Sequence, residues 1–194
     1  MSSSKIDNQA NLEKKSVAEL YSLIDKERLP KHIAVIMDGN RRWAKKRFMP
    51  SAVGHKAGVE AFRTVMETCR NLGVKVLSAY AFSAENWQRS PAEVTLLMQL
   101  FEYYAKAERQ KMLDTGVRLQ VIGDKSALHP SVCRELEISE KATAHNSDLL
   151  LNLAVNYGGR EEILQAARHL AEQVKEGKLQ VSDINQETFG QSLY

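Results

Sequence analysis

Short, wholly apolar runs alternate along this chain with longer stretches in which apolar residues recur every three or four positions. A short apolar run is typical of a strand buried on both faces of a sheet, and the longer period is typical of a helix packed on one side. The predicted strands are residues 33–37, 74–82, 117–122 and 149–155. The predicted helices are residues 16–24, 54–71, 90–114, 130–144 and 159–175, with a further helical stretch ahead of a break near Pro50. This alternation predicts an α/β fold with a mostly parallel central sheet flanked by helices.

The predicted helix at residues 90–114 has a clear start and an unusually wide apolar face. Ser90 is placed to cap it, Pro91 suits its first turn, and Glu93 lies three residues after the cap. Two neighbouring apolar rows follow: Val94, Leu97, Met98, Phe101 and Tyr104, and beside them Leu96, Leu100 and Tyr103. Such a stripe is wider than one sheet contact needs. It fits either a helix sandwiched between two layers or a helix that lines an apolar cavity.

Polar clusters follow three of the four predicted strands. They are the segments Asp38–Asn40, Ser83–Trp87 and Asn156–Arg160. Ligands of open parallel sheets bind at the carboxyl ends of the strands. We therefore expect a functional site where these three clusters meet.

The length of 194 residues, with 43% hydrophobic and 26% charged side chains, suits one globular domain with a core of its own. We divide the chain into an N-terminal tail with a short helix, residues 1–29, and a main domain, residues 30–194. No apolar run reaches the roughly 18 residues that a membrane span needs, and the polar N-terminus is unlike a secretory signal. We therefore predict a cytoplasmic protein.

The positive charge of the chain is local. The net charge is +3, but six basic and no acidic residues lie between Gly39 and Val59, so the rest carries 21 basic against 24 acidic residues, a net −3. This distribution indicates a local anion site and gives no support to a general nucleic-acid-binding surface.

The segment after the first predicted strand combines a carboxylate with cations. Asp38 is placed to hold a divalent metal, Gly39 lets the backbone approach a ligand, and Asn40 could cap the next helix. The first N–H groups of that helix, together with Arg41 and Arg42, would bind phosphate. A carboxylate beside these cations favours Mg²⁺ bridging to a diphosphate over a bare anion. The alternative is a strand–helix turn with solvated arginines.

Two further segments carry candidate chemistry. His55, at the start of a predicted helix, could donate to a phosphate or shuttle a proton, or it could be an ordinary turn residue. Residues 83–89 place a hydroxyl, a carboxylate, an amide, an indole and a guanidinium in one loop, and loops often bind ligands. The alternative there is a polar crossover whose Trp87 fills the core. The glycine-rich motifs of dinucleotide and nucleoside-triphosphate sites and the serine-hydrolase elbow are missing from the sequence.

Taken together, four segments resemble the cis-prenyltransferases, the undecaprenyl diphosphate synthase family. The matching segments are His32–Ala44, Gly54–Gly58, Tyr80–Arg89 and Asn152–Arg160, in the order and spacing of that family, so the resemblance covers residues 30–194. It implies a Mg²⁺-dependent enzyme that condenses isopentenyl diphosphate onto an allylic diphosphate such as farnesyl diphosphate and makes cis double bonds. It also implies a homodimer, an apolar tunnel for the growing chain, peripheral membrane contact for product release, and no nucleic-acid partner.

The resemblance also assigns roles to residues. Asp38 would bind the metal and the diphosphate, and Asn86 matches a residue assigned to proton removal. Because an amide is a poor base, we expect Asn86 to position groups while a phosphate oxygen or another acceptor takes the proton. The positions that bind the allylic diphosphate are matched by Gly39, Asn40, Arg41, Arg42 and His55. The second substrate loop is matched by Ser83, Glu85, Trp87 and Arg89, and the predicted substrate-binding set also includes Trp43 and Ala84. The tunnel wall would be formed by Leu97, Leu100, Phe101 and Tyr104.

Two departures from the family pattern affect these expectations. Many relatives have arginine where this chain has Ser51, so one phosphate contact should be weaker here. The family fold also continues beyond the position of Tyr194, with an Arg-x-Ser-x-Phe segment and a further acidic metal ligand. We therefore expect a family fold that lacks its C-terminal part, and little activity from the chain as printed.

Two other functions remain open from the sequence. A non-catalytic or inactive truncated family member could act as a partner subunit, although such a protein would be expected to lose Asp38 and Asn40, which this chain keeps. A phosphate- or nucleic-acid-binding module could use the basic stretch around Arg47. The retention of Glu85 and Asn86 disfavours that second alternative.

Overall fold

The fold is described from a computed structural model that covers residues 15–194. The chain divides into two compact units, and the boundary in the sequence lies between Lys31 and His32. The first unit contains helix α1 (Val17–Ser22) and a 3₁₀ turn (Lys26–Arg28). Ser16 caps α1, because its side chain accepts a hydrogen bond from the backbone N–H of Glu19. In return, the Glu19 carboxylate accepts a hydrogen bond from the backbone N–H of Ser16. The predicted loose tail at residues 1–12 lies outside the described residues.

The second unit is a four-stranded sheet with helices. The strands are β1 (His32–Ile36), β2 (Val76–Ser83), β3 (Val117–Ile122) and β4 (Leu149–Tyr157). The helices are α2 (Asn40–Lys45), α3 (Ser51–Leu72), α4 (Pro91–Ala107), α5 (Arg109–Asp114), α6 (Pro130–Thr143), α7 (Gly159–Lys175) and α8 (Gln186–Gln191). Short 3₁₀ turns at Ala84–Gln88, Lys125–Ala127 and Val181–Asp183 complete it.

The strand order is β1-β2-β4-β3 and every pairing is parallel, which confirms the predicted α/β fold. Parallel strands are connected by crossover helices, and these helices cover the faces of the sheet. Because the strands are then buried on both faces, their residues are mostly apolar. Leu77 and Ala79 of β2 and Leu149 of β4 are fully buried. Since β1, β2 and β4 are neighbours, their carboxyl ends lie side by side, and the three polar clusters follow three adjacent strands.

Residues 90–114 form two helices rather than one. The chain breaks at Glu108, which ends α4 and precedes α5, and whose carboxylate is held by Arg63 of α3. The start is as predicted, with Ser90 accepting a hydrogen bond from the backbone N–H of Glu93 and Pro91 in the first turn. The predicted break near Pro50 is also confirmed, because α3 begins at Ser51.

Candidate functional site

A cavity of about 820 Å³ lies above the sheet between α3 and α4. Its interior is apolar, and the cavity-facing residues of α4 include Leu97, Leu100, Phe101 and Tyr104. Across from them stand Val59, Phe62 and Met66 of α3, and the sheet contributes Leu119, Leu151 and Leu153. Of the two interpretations of the wide apolar stripe on α4, the structure therefore supports the one in which the helix lines a cavity.

Eight of the predicted site residues line this cavity. They are Asp38, Gly39, Asn40, Arg41, Arg42, His55, Asn86 and Arg89. They come from the segment after β1, from the start of α3 and from the turn after β2, so the fold brings together residues that are up to 51 positions apart in the sequence. An apolar cavity with a few convergent polar groups is the usual form of a small-molecule site.

Asp38 and Arg42 form the exposed part of this polar group. The Oδ2 atom of Asp38 lies 2.7 Å from Nη2 of Arg42, and its Oδ1 atom accepts a hydrogen bond from the backbone N–H of Gly39 at 2.6 Å. Both side chains are about three-quarters exposed. Gly39 makes this geometry possible because its φ of 89° lies in the left-handed region that other residues avoid. The carboxylate and the guanidinium are thus both accessible to a ligand.

Glu93 organises the cations of the cavity, and the sequence analysis identified it only as a helix-capping residue. Its Oε1 atom lies 2.9 Å from Nη1 of Arg89 and 3.4 Å from Nε2 of His55, and its Oε2 atom lies 3.6 Å from Nη1 of Arg41. The Glu93 side chain is only 13% exposed. One largely buried carboxylate therefore holds side chains from α2, α3 and the loop before α4 in one cluster.

His55 is buried at this cluster. Burial lowers its pKa below the usual value, although the neighbouring Glu93 carboxylate acts in the opposite direction. Its Nε2 atom, at 3.4 Å from Glu93, makes no well-formed hydrogen bond. The lowered pKa favours the neutral imidazole, whose Nε2 atom is buried at 3.4 Å from the Glu93 carboxylate.

Two glycines set the position of His55. A side chain at Gly54 would place its Cβ 2.2 Å from the backbone oxygen of Asn40, and one at Gly58 would lie 2.3 Å from Nδ2 of Asn40. Because these glycines are four residues apart, they lie on one face of α3 and let that helix contact α2 closely. The Gly-x-x-x-Gly spacing around His55 thus has a packing cause.

Five predicted site residues do not line the cavity: Trp43, Ser83, Ala84, Glu85 and Trp87. Trp43 is stacked under Arg47, at 4.2 Å. Trp87 packs edge-on against Phe82, and its indole N–H donates to Oδ1 of Asn156 at 2.7 Å. This contact ties the turn after β2 to the end of β4, which is the structural alternative considered for Trp87. Their predicted substrate roles stay predictions.

The turn between Ser83 and Arg89 is fixed by its own polar groups. Asn86 accepts a hydrogen bond from the backbone N–H of Ser83 through its Oδ1 atom at 3.3 Å. A hydrogen bond from the Ser83 side chain lowers the pKa of the exposed Glu85 carboxyl. The result is a 3₁₀ turn that places Asn86 and Arg89 at the cavity while Glu85 stays outside it.

The third polar cluster belongs to a different place. Asn156 and Tyr157 line a second, much smaller pocket of about 160 Å³, together with Ala84 and Tyr194. A hydrogen bond to Glu162, with burial, raises the pKa of the Tyr157 hydroxyl. The expectation that all three clusters share one site is therefore wrong. The end of β4 lies next to the end of β2 in the sheet, but the Asn156 side chain connects two loops, by hydrogen bonds to Trp87 and to the backbone of Asp124.

Within the described residues, the carboxylates that line the cavity are those of Asp38, which is exposed, and Glu108, which is paired with Arg63. Among residues 15–194, the structure has no group of three or more histidine, cysteine, aspartate or glutamate side chains able to hold a metal. Mg²⁺ commonly binds through one or two carboxylates and completes its coordination with substrate phosphates and water. The accessible Asp38 beside phosphate-binding cations fits that manner of binding.

None of the helices described is long and apolar enough to span a bilayer.

Comparisons with known proteins agree with this architecture. A family model described as "Putative undecaprenyl diphosphate synthase" matches residues 36–194. The chain is 49% identical over 159 residues to the farnesyl-diphosphate-specific ditrans,polycis-undecaprenyl-diphosphate synthase of Pseudomonas aeruginosa, covering 82% of this chain and 63% of that protein. It is 45% identical over 168 residues to the isoprenyl transferase of Bacillus subtilis, covering 87% and 65% respectively. The chain thus spans less than two thirds of the length of these relatives.

Two solved structures share the fold. Lavandulyl diphosphate synthase from Lavandula x intermedia, crystallised with dimethylallyl diphosphate, is 36% identical with a TM-score of 0.80, covering 84% of this chain and 70% of that one. A probable undecaprenyl diphosphate synthase from Campylobacter jejuni is 34% identical with a TM-score of 0.67, covering 86% and 70%. The resemblance noted in the sequence is confirmed: the chain belongs to the undecaprenyl diphosphate synthase family of prenyltransferases.

Proposed function

We propose that this protein is a prenyltransferase that condenses isopentenyl diphosphate onto an allylic diphosphate with cis stereochemistry and extends a polyprenyl diphosphate. The observation that carries the proposal is the joint position of Asp38, three arginines and His55 at the polar end of an apolar cavity of about 820 Å³. The cations would bind the diphosphate groups of the substrates, and the apolar cavity would hold the growing hydrocarbon chain. The relatives are named for farnesyl diphosphate and for undecaprenyl products, and one solved neighbour holds dimethylallyl diphosphate.

The cations at the cavity suit the charge that develops in this reaction. When the allylic C–O bond breaks, its electron pair leaves with the diphosphate, so negative charge grows on the departing oxygens. Arg41 and Arg42 would bind those oxygens, and a hydrogen bond from His55 would hold one of them in place. Mg²⁺, held by Asp38, would neutralise part of the same charge. Glu93 holds Arg41 and Arg89 in place before the substrate arrives.

The carbon–carbon bond forms when the double bond of isopentenyl diphosphate attacks the allylic carbon, and a proton then leaves the new chain. Asn86 lines the cavity, and a carboxamide is too weak a base to take this proton. We assign Asn86 to positioning the second substrate and a phosphate oxygen to accepting the proton. Ser83, Glu85, Trp87 and Arg89 would complete the loop that binds isopentenyl diphosphate.

The remaining parts of the proposal concern the environment of the enzyme. We infer a homodimer that works in the cytoplasm and contacts a membrane peripherally when it releases its lipid product. The alternative, a non-catalytic partner subunit, is not favoured, because the relatives carry enzyme names and both Asp38 and Asn86 line the cavity.

The experiment is an extension assay with labelled isopentenyl diphosphate and farnesyl diphosphate, with and without Mg²⁺, scored by extraction of label into organic solvent. We expect extraction of label that depends on Mg²⁺. Asp38→Ala should abolish extension and leave the circular dichroism spectrum unchanged, since Asp38 is exposed. Undiminished extension by this variant would contradict the assignment of Asp38. In parallel, calorimetry with farnesyl diphosphate should show binding that Arg42→Ala weakens.

A further inference from the structure

The turn between α2 and α3 exposes a cluster of apolar side chains. Phe48 is 100% exposed, Met49 is 44% exposed, and Trp43 and Val53 are each 39% exposed. Phenylalanine is among the residues most often buried, and contiguous exposed apolar surface usually marks an interaction site. We call these four residues, with the chain between them, the 43–53 turn.

The backbone at Phe48 is as unusual as its exposure. Its φ of 56° lies in the left-handed region, which bulky residues rarely adopt. The turn is closed by backbone hydrogen bonds, from Phe48 to Lys45 and from Met49 to Ala44. Glycine would form the same turn without strain, because it lacks a Cβ. The phenyl group therefore strains the turn and is not buried by any part of residues 15–194 in return.

Basic residues flank this apolar tip in the sequence. The basic residues between Gly39 and Val59 are Arg41, Arg42, Lys45, Lys46, Arg47 and Lys56, and the segment contains no acidic residue. In the part of the chain that the structure describes, Lys45 and Lys46 form no salt bridge. Exposed aromatic and aliphatic side chains within a ring of lysine and arginine are what anionic lipid surfaces bind.

The tip also borders the cavity. Lys45, Phe48 and Met49 are among the residues that line it, as are Asp38 and Arg42. A bilayer seated against the 43–53 turn would therefore cover the mouth of the cavity.

We propose that the 43–53 turn docks this protein on anionic membranes, with Phe48 and Met49 in the boundary between headgroups and acyl chains and the lysines at the headgroups. This assigns a surface to the membrane contact proposed above, and its purpose, transfer of the lipid product from cavity to bilayer, rests on the proposed function. The docking can be tested apart from the proposed reaction, because it needs neither substrate nor metal.

The experiment is co-sedimentation with vesicles of phosphatidylglycerol and phosphatidylcholine, compared with vesicles of phosphatidylcholine alone, in the absence of substrates. We expect binding to the anionic vesicles that weakens as salt is added. Phe48→Gly should bind at least about tenfold more weakly, since it loses most of a buried aromatic side chain. Its melting temperature should be equal or higher, because glycine relieves the strained φ. Lys46→Glu should lower binding by at least about fivefold.

Tyr103→Ala is the matched control, since Tyr103 is 64% exposed on α4 outside the turn, and it should bind as the parent does. Undiminished vesicle binding by Phe48→Gly would overturn the proposal. So would a result in which Phe48→Gly leaves vesicle binding intact but dissociates a dimer in sedimentation experiments, because the turn would then contact a second copy. Failure of the extension assay with intact vesicle binding would overturn the proposed function alone.

Discussion

Arg63 and Glu108 form a two-armed ion pair across the wall of the cavity. The Nε atom of Arg63 donates to Oε2 of Glu108 at 3.2 Å, and its Nη2 atom donates to Oε1 at 2.5 Å. The pair joins α3 to the junction of α4 and α5, where a salt bridge between Lys111 and Glu67 makes a second connection. Neither pair was identified in the sequence, because the partners lie about 45 residues apart with no regular spacing.

Breaking this pair should destabilise the protein. Arg63→Met and Glu108→Gln each leave a partner that is about three-quarters buried without its counter-charge. Each variant should therefore lower the free energy of unfolding by about 1–3 kcal/mol. The double variant should cost less than the sum of the two, with a coupling of about 1 kcal/mol or more in urea denaturation. Lys178→Met, which removes an exposed pair with Glu176, is the control and should change little. Strict additivity would show that the pair is not coupled.

Glu93→Gln should lower the pKa of His55 further. The Glu93 carboxylate, 3.4 Å from Nε2 of His55, is the group that favours protonated His55, so its neutralisation removes the opposition to burial. The measurement is an NMR titration of the His55 ring protons. Glu102→Gln lies on the same helix, where the carboxylate accepts a hydrogen bond from Ser131 at 2.6 Å, and should leave that titration unchanged. A His55 pKa that rises in Glu93→Gln would contradict this reading of the cluster.

The stability of the protein should fall as the pH drops through the range in which unfolded histidine is protonated. Because the folded pKa of His55 lies below 6.5, the unfolded chain binds the proton first, and unfolding becomes more favourable below about pH 6.5. The contribution is fully present above that pH, and its slope is at most about 1.4 kcal/mol per pH unit. His55→Gln should show a shallower loss of stability between pH 7 and 5 in denaturant titrations. Equal slopes in the two proteins would refute the assignment.

Gly54→Ala should disturb the contact between α2 and α3. The new Cβ would lie 2.2 Å from the backbone oxygen of Asn40, which cannot move without moving the start of α2. We expect a loss of about 1–3 kcal/mol in the free energy of unfolding, despite the better helix propensity of alanine. Gly190→Ala is the matched control, because a Cβ there meets nothing within 4 Å, and it should stabilise by about 0.5–1 kcal/mol. If Gly54→Ala stabilised the protein as Gly190→Ala does, the result would contradict this prediction and show that α2 shifts easily.

Leu100→Trp should shorten the products of the proposed reaction. Leu100 faces the cavity from α4, so a larger side chain there takes space from the hydrocarbon chain and costs little in packing. Thin-layer chromatography of the dephosphorylated products would measure the change. Tyr103→Trp adds a similar ring at an exposed position of the same helix and should leave the product distribution unchanged. Unchanged products from Leu100→Trp would mean that the growing chain runs elsewhere.

Local signals were sufficient for the elements and for part of the site. The apolar runs and caps located all four strands, and Ser90 with Glu93 marked the start of α4. The excess width of the apolar face of α4 left two interpretations open, and the structure shows that this face lines a cavity. The sequence did not show which residues these polar side chains contact. The end of β4 carries polar residues like those after β1 and β2. The Asn156 amide, however, accepts a hydrogen bond from Trp87 and donates one to the backbone carbonyl of Asp124.

The sequence by itself determined the α/β class, the family, and the presence of a basic, carboxylate-bearing segment after the first strand, since periodicity and motifs are properties of neighbouring residues. Only the tertiary structure decided which side chains share the cavity, that Glu93 joins Arg41, His55 and Arg89, and that Phe48 stands fully exposed. These facts depend on how distant helices pack around the sheet. Contacts between residues far apart in the sequence leave no periodic trace in the chain.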